Sequence, residues 1–169
     1  MKRILAIILV FILCLSIASC AKDEVTIENP VSFYYRRSEL SYEGNSGVIM
    51  QEIRESGGSE QSIITLLSLY FQGPVATGMD RTFPYGTQPI SLQIQDNRAY
   101  ITTTSHFANL KGIDLSIACA CITMTLIELT GVSSVEIKAD RSLLNDAESI
   151  IMDKETLLLL DDAVLDAAI

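Results

Sequence analysis

Between Ser59 and Lys138 the apolar residues recur with a helical period, then alternate, then return to a helical period and alternate again. A period of 3.6 buries one stripe of a helix and a period of 2 buries one face of a sheet, so each change of period marks a new element. Ile63, Ile64, Leu66, Leu67, Tyr70 and Phe71 predict a first helix over Ser59 to Gln72, with Ser59 placed as its cap and Gly73-Pro74 as its end. Ile90, Leu92 and Ile94 then alternate with polar residues as far as Asp96-Asn97, and Ala99 and Ile101 resume the alternation through Thr103. Asp and Asn tolerate left-handed dihedrals, which predicts a tight hairpin at that pair. From Asp114, read as a cap, Leu115, Ala118, Cys119, Ile122, Leu126 and Leu129 share one face of a second helix, and Thr130-Gly131 stops it. Val135 and Ile137 open a last strand.

Upstream, the β-forming run Val31 to Tyr35 follows Pro30 and predicts a first strand. Arg36-Arg37 close it, as a solvated strand end or as a contact for a phosphate or polyanion. Gly44, Asn45, Ser46 and Gly47 make a flexible turn. Val48 to Glu55 reads as a second strand with Val48, Met50, Glu52 and Arg54 on one face and Ile49, Gln51 and Ile53 on the other, an imperfect alternation that suits a sheet edge. Between Gly73 and Thr87, Pro74, Gly78, Pro84 and Gly86 punctuate a longer connection too heavily for regular structure.

The N-terminus obeys another logic. Lys2 and Arg3 precede an apolar run from Ile4 to Leu15, and small residues then lead to Cys20. The run is shorter than the about 20 residues a spanning helix needs, so it reads as a signal peptide over residues 1–19. Ile17-Ala18-Ser19-Cys20 resembles the lipobox of bacterial lipoproteins, with Ile17 where leucine is usual. That resemblance implies that Cys20 becomes the mature N-terminus and carries a diacylglycerol, the lipid attachment that would hold the chain to a membrane. The alternative is a secreted chain in which Cys20 is incidental. Cleavage before Cys20 removes Lys2 and Arg3 and no acidic residue, taking the formal charge from -9 to -11. A surface of that sign repels phosphates, which argues against a nucleic acid partner. Residues 20–29 read as a polar tether reaching about 30 Å at most.

Reactive groups are sparse. Cys119 and Cys121 sit two positions apart on a helix, their side chains diverging by about 200°, and so cannot bridge each other. With no second cysteine pair or neighbouring histidine, they read as buried helix residues and not as a metal site. His106 is the sole histidine, and Ser105 and Asp114 are the residues that could approach it in a catalytic set. No phosphate loop, His-Glu-x-x-His or calcium loop is present, so no catalytic residue, cofactor or metal site is expected. Tyr70, Phe71, Tyr85 and His106 would line a binding site if the loops after the first helix and the hairpin met; otherwise these aromatic residues close the core.

Several local patterns recur together in one family. Tyr34-Tyr35, the Leu67-Ser68-Leu69-Tyr70-Phe71-Gln72-Gly73-Pro74 helix end, the turn Phe83-Pro84-Tyr85-Gly86-Thr87, and Thr125 to Val132 followed by Val135-Glu136-Ile137 resemble the GerMN domain of sporulation and germination lipoproteins. The resemblance spans about Val31 to Ala139. It implies an α+β fold in the order β-β-α-β-β-α-β, a small sheet with two helices packed on one face, related to ring-building domains that oligomerise at the sporulation channel. It also implies an extracytoplasmic, non-enzymatic protein whose partners are copies of itself or other sporulation proteins; the alternative is a monomeric cell-wall- or ligand-binding lipoprotein. The domain would occupy residues 30–140. Residues 141–169 depart from the family pattern. There Leu157, Leu160, Val164 and Ala168 fall on one stripe among Glu155, Asp161, Asp162 and Asp166, predicting an acidic amphipathic helix from about Lys154 that packs on its own domain or on a partner.

Overall fold

The computed structural model describes residues 29–39, 47–57 and 61–157. The signal peptide, Cys20, most of the tether, the Ser59 cap and the helix expected beyond Leu157 lie outside the described residues. In chain order the elements are β1 (Pro30–Arg37), β2 (Ile49–Glu55), α1 (Ile63–Tyr70), β3 (Met79–Asp80), β4 (Pro89–Gln95), β5 (Arg98–Thr103), a short 3₁₀ turn (Ser105–Asn109), α2 (Gly112–Thr130), β6 (Ser134–Ala139) and β7 (Ile150–Asp153). The α+β class and the expected order are therefore found, with β3 and β7 added.

The strands form two sheets where one was expected. The first has the order β2-β1-β3 and the second β4-β5-β6-β7. Helix α2 packs against β1 of the first sheet and against β6 and β7 of the second. Ala118 through Thr123 are all buried, so α2 is enclosed on every side and does not simply rest one stripe on a sheet. Its length and apolarity would suffice to cross a membrane, but here it is the core helix. Beyond β1 the first sheet carries only the two-residue β3, paired with Arg36 and Arg37, and α2 lies along β1: the Tyr34 N–H donates to the Thr125 hydroxyl of α2 at 3.1 Å, and the Arg36 N–H to the hydroxyl of Thr82, just after β3, at 2.9 Å. Hydroxyls of α2 and of the segment after β3 thus satisfy strand donors that another strand would otherwise take.

Within the second sheet, β4 and β5 form the expected hairpin, with φ of 49° at Asp96 and 60° at Asn97. β5 and β6 are parallel, which requires the long crossover supplied by the 3₁₀ turn and α2. Strand β7 pairs antiparallel with β6, placing Ile150 and Met152 on the core, so the sheet continues beyond Ala139. After it the Asp153 carboxylate accepts from the backbone N–H groups of Glu155 and Thr156 at 3.1 and 2.8 Å, closing a turn at the point where a helix was expected to start.

Helix boundaries also differ from the periodic pattern. Ser62 caps α1, its hydroxyl accepting from the Thr65 N–H at 3.3 Å, so the helix is shorter than the apolar run suggests. Helix α2 begins at Gly112, and Asp114 lies in its first turn without capping it, because its carboxylate pairs with Arg36. Gly131, at φ 74°, ends α2 as expected. At the centre of the core, the Tyr70 ring meets Phe33, Tyr35, Phe71 and Phe83 at 5.3, 5.0, 5.3 and 5.0 Å between centroids. Such pairs are worth about 0.5–1.5 kcal/mol each beyond area burial. The Tyr35 hydroxyl donates to the Tyr70 carbonyl at 2.8 Å and the Tyr70 hydroxyl to the Tyr34 carbonyl at 2.9 Å, so two buried phenols tie α1 to β1.

Candidate functional site

Strand β2 turns its charged face inward. Glu52 is buried, whereas Ile53 on the opposite face is 52% exposed. One Glu52 oxygen accepts from the backbone N–H groups of Val75 and Ala76 at 2.9 and 2.6 Å, and the other pairs with the guanidinium of Arg54, whose Nε is 2.8 Å away. Arg54 also donates to the Gly73 carbonyl at 2.7 Å and to the Tyr35 hydroxyl at 3.1 Å. Its guanidinium lies over the rings of Phe33 and Tyr35, 5.2 and 5.5 Å from their centroids. This charge pair clamps the chain leaving α1 onto the first sheet. Opposite charges at i and i+2 on one strand face were the only trace of it in the sequence.

The clamped segment leads to an open cleft of about 280 Å³ near the start of α2, lined by Arg36, Arg81, Phe83, Tyr85, Asp114 and Ile117 among others. Arg36 reaches Asp114 at 2.5 Å, both side chains being more than a third exposed. The Arg81 guanidinium lies 4.0 Å from the centroid of the Tyr85 ring and donates to the Gln72 carbonyl at 2.5 Å. Two guanidiniums face one carboxylate here, leaving excess positive charge in a chain of formal charge -9. The arrangement can hold an anionic group against a planar, partly apolar wall.

The residues singled out from sequence do not all converge. Tyr70 and Phe71 are buried in the core, whereas Tyr85 is 80% exposed at the cleft. His106 is exposed in the 3₁₀ turn, with its ring against Gly86. Asp114 is paired with Arg36, so the Ser105-His106-Asp114 set is not assembled. Arg37, the last residue of β1, donates to the Gly47 carbonyl at 3.0 Å. Cys119 and Cys121 are buried free thiols; burial pushes the Cys119 thiol up to about 12 and raises that of Cys121 as well. Among the described residues no three His, Cys, Asp or Glu side chains gather as metal ligands would.

No protein-family model and no curated protein sequence matches this chain. Solved structures do. The first GerMN domain of the sporulation protein GerM from Bacillus subtilis superposes with a TM-score of 0.55 at 18% identity, over 75% of this chain and 96% of that one. This chain has the GerMN fold. The tandem GerMN domains of the same protein match with a TM-score of 0.53 at 17% identity, over 80% of this chain and 49% of that one, so the chain spans about half of the pair. The resemblance read from local motifs thus holds at the level of the fold. In the GerMN fold seen here, Phe83-Pro84-Tyr85-Gly86-Thr87 forms a tight turn: the Thr87 N–H donates to the Pro84 carbonyl at 3.1 Å, and Gly86 takes φ 86°. A side chain at that glycine would meet the His106 ring at 3.0 Å.

Proposed function

We propose that this chain is a non-enzymatic membrane lipoprotein, held at the extracytoplasmic face through a diacylglyceryl group on Cys20, whose GerMN-fold domain acts in protein assembly during sporulation or spore germination. The observation that carries the reading is the superposition on a GerMN domain of a sporulation protein over 75% of the chain. The lipobox-like Ile17-Ala18-Ser19-Cys20 supports the anchor. Two inert buried thiols and an unassembled Ser105-His106-Asp114 set support a role performed by surfaces. The test is Cys20→Ala in the full chain: membrane fractionation moves the protein to the soluble fraction, and mass spectrometry of the native chain finds a lipidated Cys20. A native protein that retains Met1 and stays in the cytosol would sink the reading, as would a chain found only as monomer, without partners, by cross-linking in sporulating cells.

The second reading, a monomeric lipoprotein that binds wall polymer or a small ligand, is favoured by the cleft at Arg36, Arg81 and Tyr85. It expects purified wall material to retain the native chain and to release the Arg81→Ala variant. Equal retention of the two argues against it.

A further inference from the structure

Edge strands offer unpaired backbone groups to any neighbouring strand, and proteins ordinarily blunt them with charge. Among the described residues the edges are β2, β3, β4 and β7. Strand β2 carries Glu52, Arg54 and Glu55; β3 carries Asp80; β7 carries Asp153. Strand β4, Pro-Ile-Ser-Leu-Gln-Ile-Gln, carries no charge along its length. Its Ile90 and Ile94 are 52% and 50% exposed. Together with Leu92 they border a groove of about 540 Å³ whose other wall is Ser62, Ile63 and Ile64 at the start of α1.

We propose that this edge is a self-association surface, on which β4 of a second copy pairs antiparallel about a two-fold axis and joins two four-stranded sheets into one of eight strands. The proposal deepens the assembly reading above and rests on it for the crowding it needs.

Register and charge both favour a copy of the same chain. Leu92 and Ile94 stand opposite Ile101 and Ala99 of β5, which are buried, so they lie on the helix-covered face; Ser91 and Gln93 stand opposite Thr102 and Tyr100 on the polar face. A break in register between Pro89 and Ser91 ends the regular strand on one side, and the Asp96-Asn97 turn ends it on the other. That leaves Ser91 to Gln95 to pair, with Gln93 at the centre. An antiparallel two-fold pairing about Gln93 sets Leu92 against Ile94 of the second copy and Gln93 against its own counterpart. The apolar stripe and the polar face then both run unbroken across the junction, whereas a one-residue slip would mix them. Copies with a formal charge of -9 repel one another, and β4 is the edge that adds nothing to that repulsion. A junction this short buries less than the about 1,200 Å² of a stable interface, so it forms where copies are concentrated, as on a membrane plane.

The experiment is oxidative cross-linking of full-length Gln93→Cys in membranes. Directly opposed strand residues have Cα atoms about 4.5–5.5 Å apart, within disulfide reach. The native Cys119 and Cys121 are fully buried and stay silent, so the unsubstituted chain sets the background. Gln93→Cys is expected to give a covalent dimer at least about tenfold above that background, and adding Ile94→Lys is expected to return it there, since each lysine then replaces the apolar partner of Leu92 in the other copy and the two like charges stand diagonally across the junction. Ile151→Cys, on the opposite edge and likewise exposed, should remain at background. Cross-linking of Gln93→Cys no greater than that of Ile151→Cys, or unaffected by Ile94→Lys, overturns the proposal. So does dimer that appears only after removal of residues 158–169, which would assign the groove to the chain's own tail. If light scattering of the native chain still shows oligomers in any of these cases, the edge is wrong and the assembly reading stands; if it shows only monomer, both fall.

Discussion

Replacing Glu52 with alanine isolates the inward-facing charge pair. Glu52 is 5% exposed and its Arg54 partner 19%, so the change strands a guanidinium in the interior with only the Gly73 carbonyl and the Tyr35 hydroxyl for company. Breaking a buried pair by removing one member costs about 3–5 kcal/mol. It also removes the acceptor of the Val75 and Ala76 N–H groups, and each such donor left buried adds about 1–3 kcal/mol unless water reaches it. Val75 is 80% exposed, so water does reach that loop, and the total expected for Glu52→Ala stays at about 3–5 kcal/mol. Glu52→Gln keeps an acceptor for the loop while losing the charge, and about half the penalty is expected. The double variant Glu52→Leu with Arg54→Leu leaves neither charge unpaired and should be less damaging than either single replacement by leucine. Urea unfolding followed by circular dichroism and tyrosine fluorescence reads all of these; the chain has no tryptophan. Additive effects of the two leucine changes, or a loss below about 1 kcal/mol for Glu52→Ala, would refute the reasoning, because an exposed pair behaves that way.

Three further outcomes follow from the same geometry. Burial holds the Cys119 thiol protonated up to about 12 against an ordinary 9.0, so the folded chain keeps a proton that the unfolded chain loses; this stability is complete below pH 9 and falls as pH rises from there toward 12. Each such thiol contributes a slope of at most about 1.4 kcal/mol per pH unit, and Cys119→Ala should flatten the fall measured between pH 9 and 10. Gly86→Ala combines a φ of 86° with the His106 ring 3.0 Å from the new methyl group, so a loss of about 1–3 kcal/mol in thermal or urea unfolding is expected; His106→Ala, near neutral alone, should restore the steric part. Arg36→Ala, breaking a solvent-exposed pair with Asp114, should change stability by less than about 1 kcal/mol, and its effect should shrink further in high salt.

Where a residue's environment is set by its neighbours along the chain, the sequence was readable. The Asp96-Asn97 hairpin, the Gly131 stop and the alternation of Ala99 and Ile101 follow from local dihedral preference and period, and each stands where expected. Distant contacts were not readable. Helix α2 shows a usable stripe in its periodicity, yet a second sheet covers its other side, and nothing in a linear pattern distinguishes one cover from two. Strand β7 was hidden because four residues, Ile150 to Asp153, are too few to establish a period, and pairing with β6 decides their state. That the Glu52 face of β2 turns inward was not readable, because its partners, the amides of Val75 and Ala76, lie more than twenty residues away. At the cleft, Tyr85 could be singled out as an aromatic residue in a turn, but its pairing with Arg81 depends on how the Pro84–Thr87 turn folds back.

The enclosure of α2 has a consequence for how the chain is made. Its second wrapping, β6 and β7, follows it in sequence, so during N-to-C synthesis or threading through a pore the helix emerges before half of its cover exists. For that interval the molecule carries a segment long and greasy enough to lodge in a bilayer. Completion of the last two strands is then the event that commits this segment to the protein interior instead of the lipid, and a ribosome stalled before Ser134 would leave the choice open.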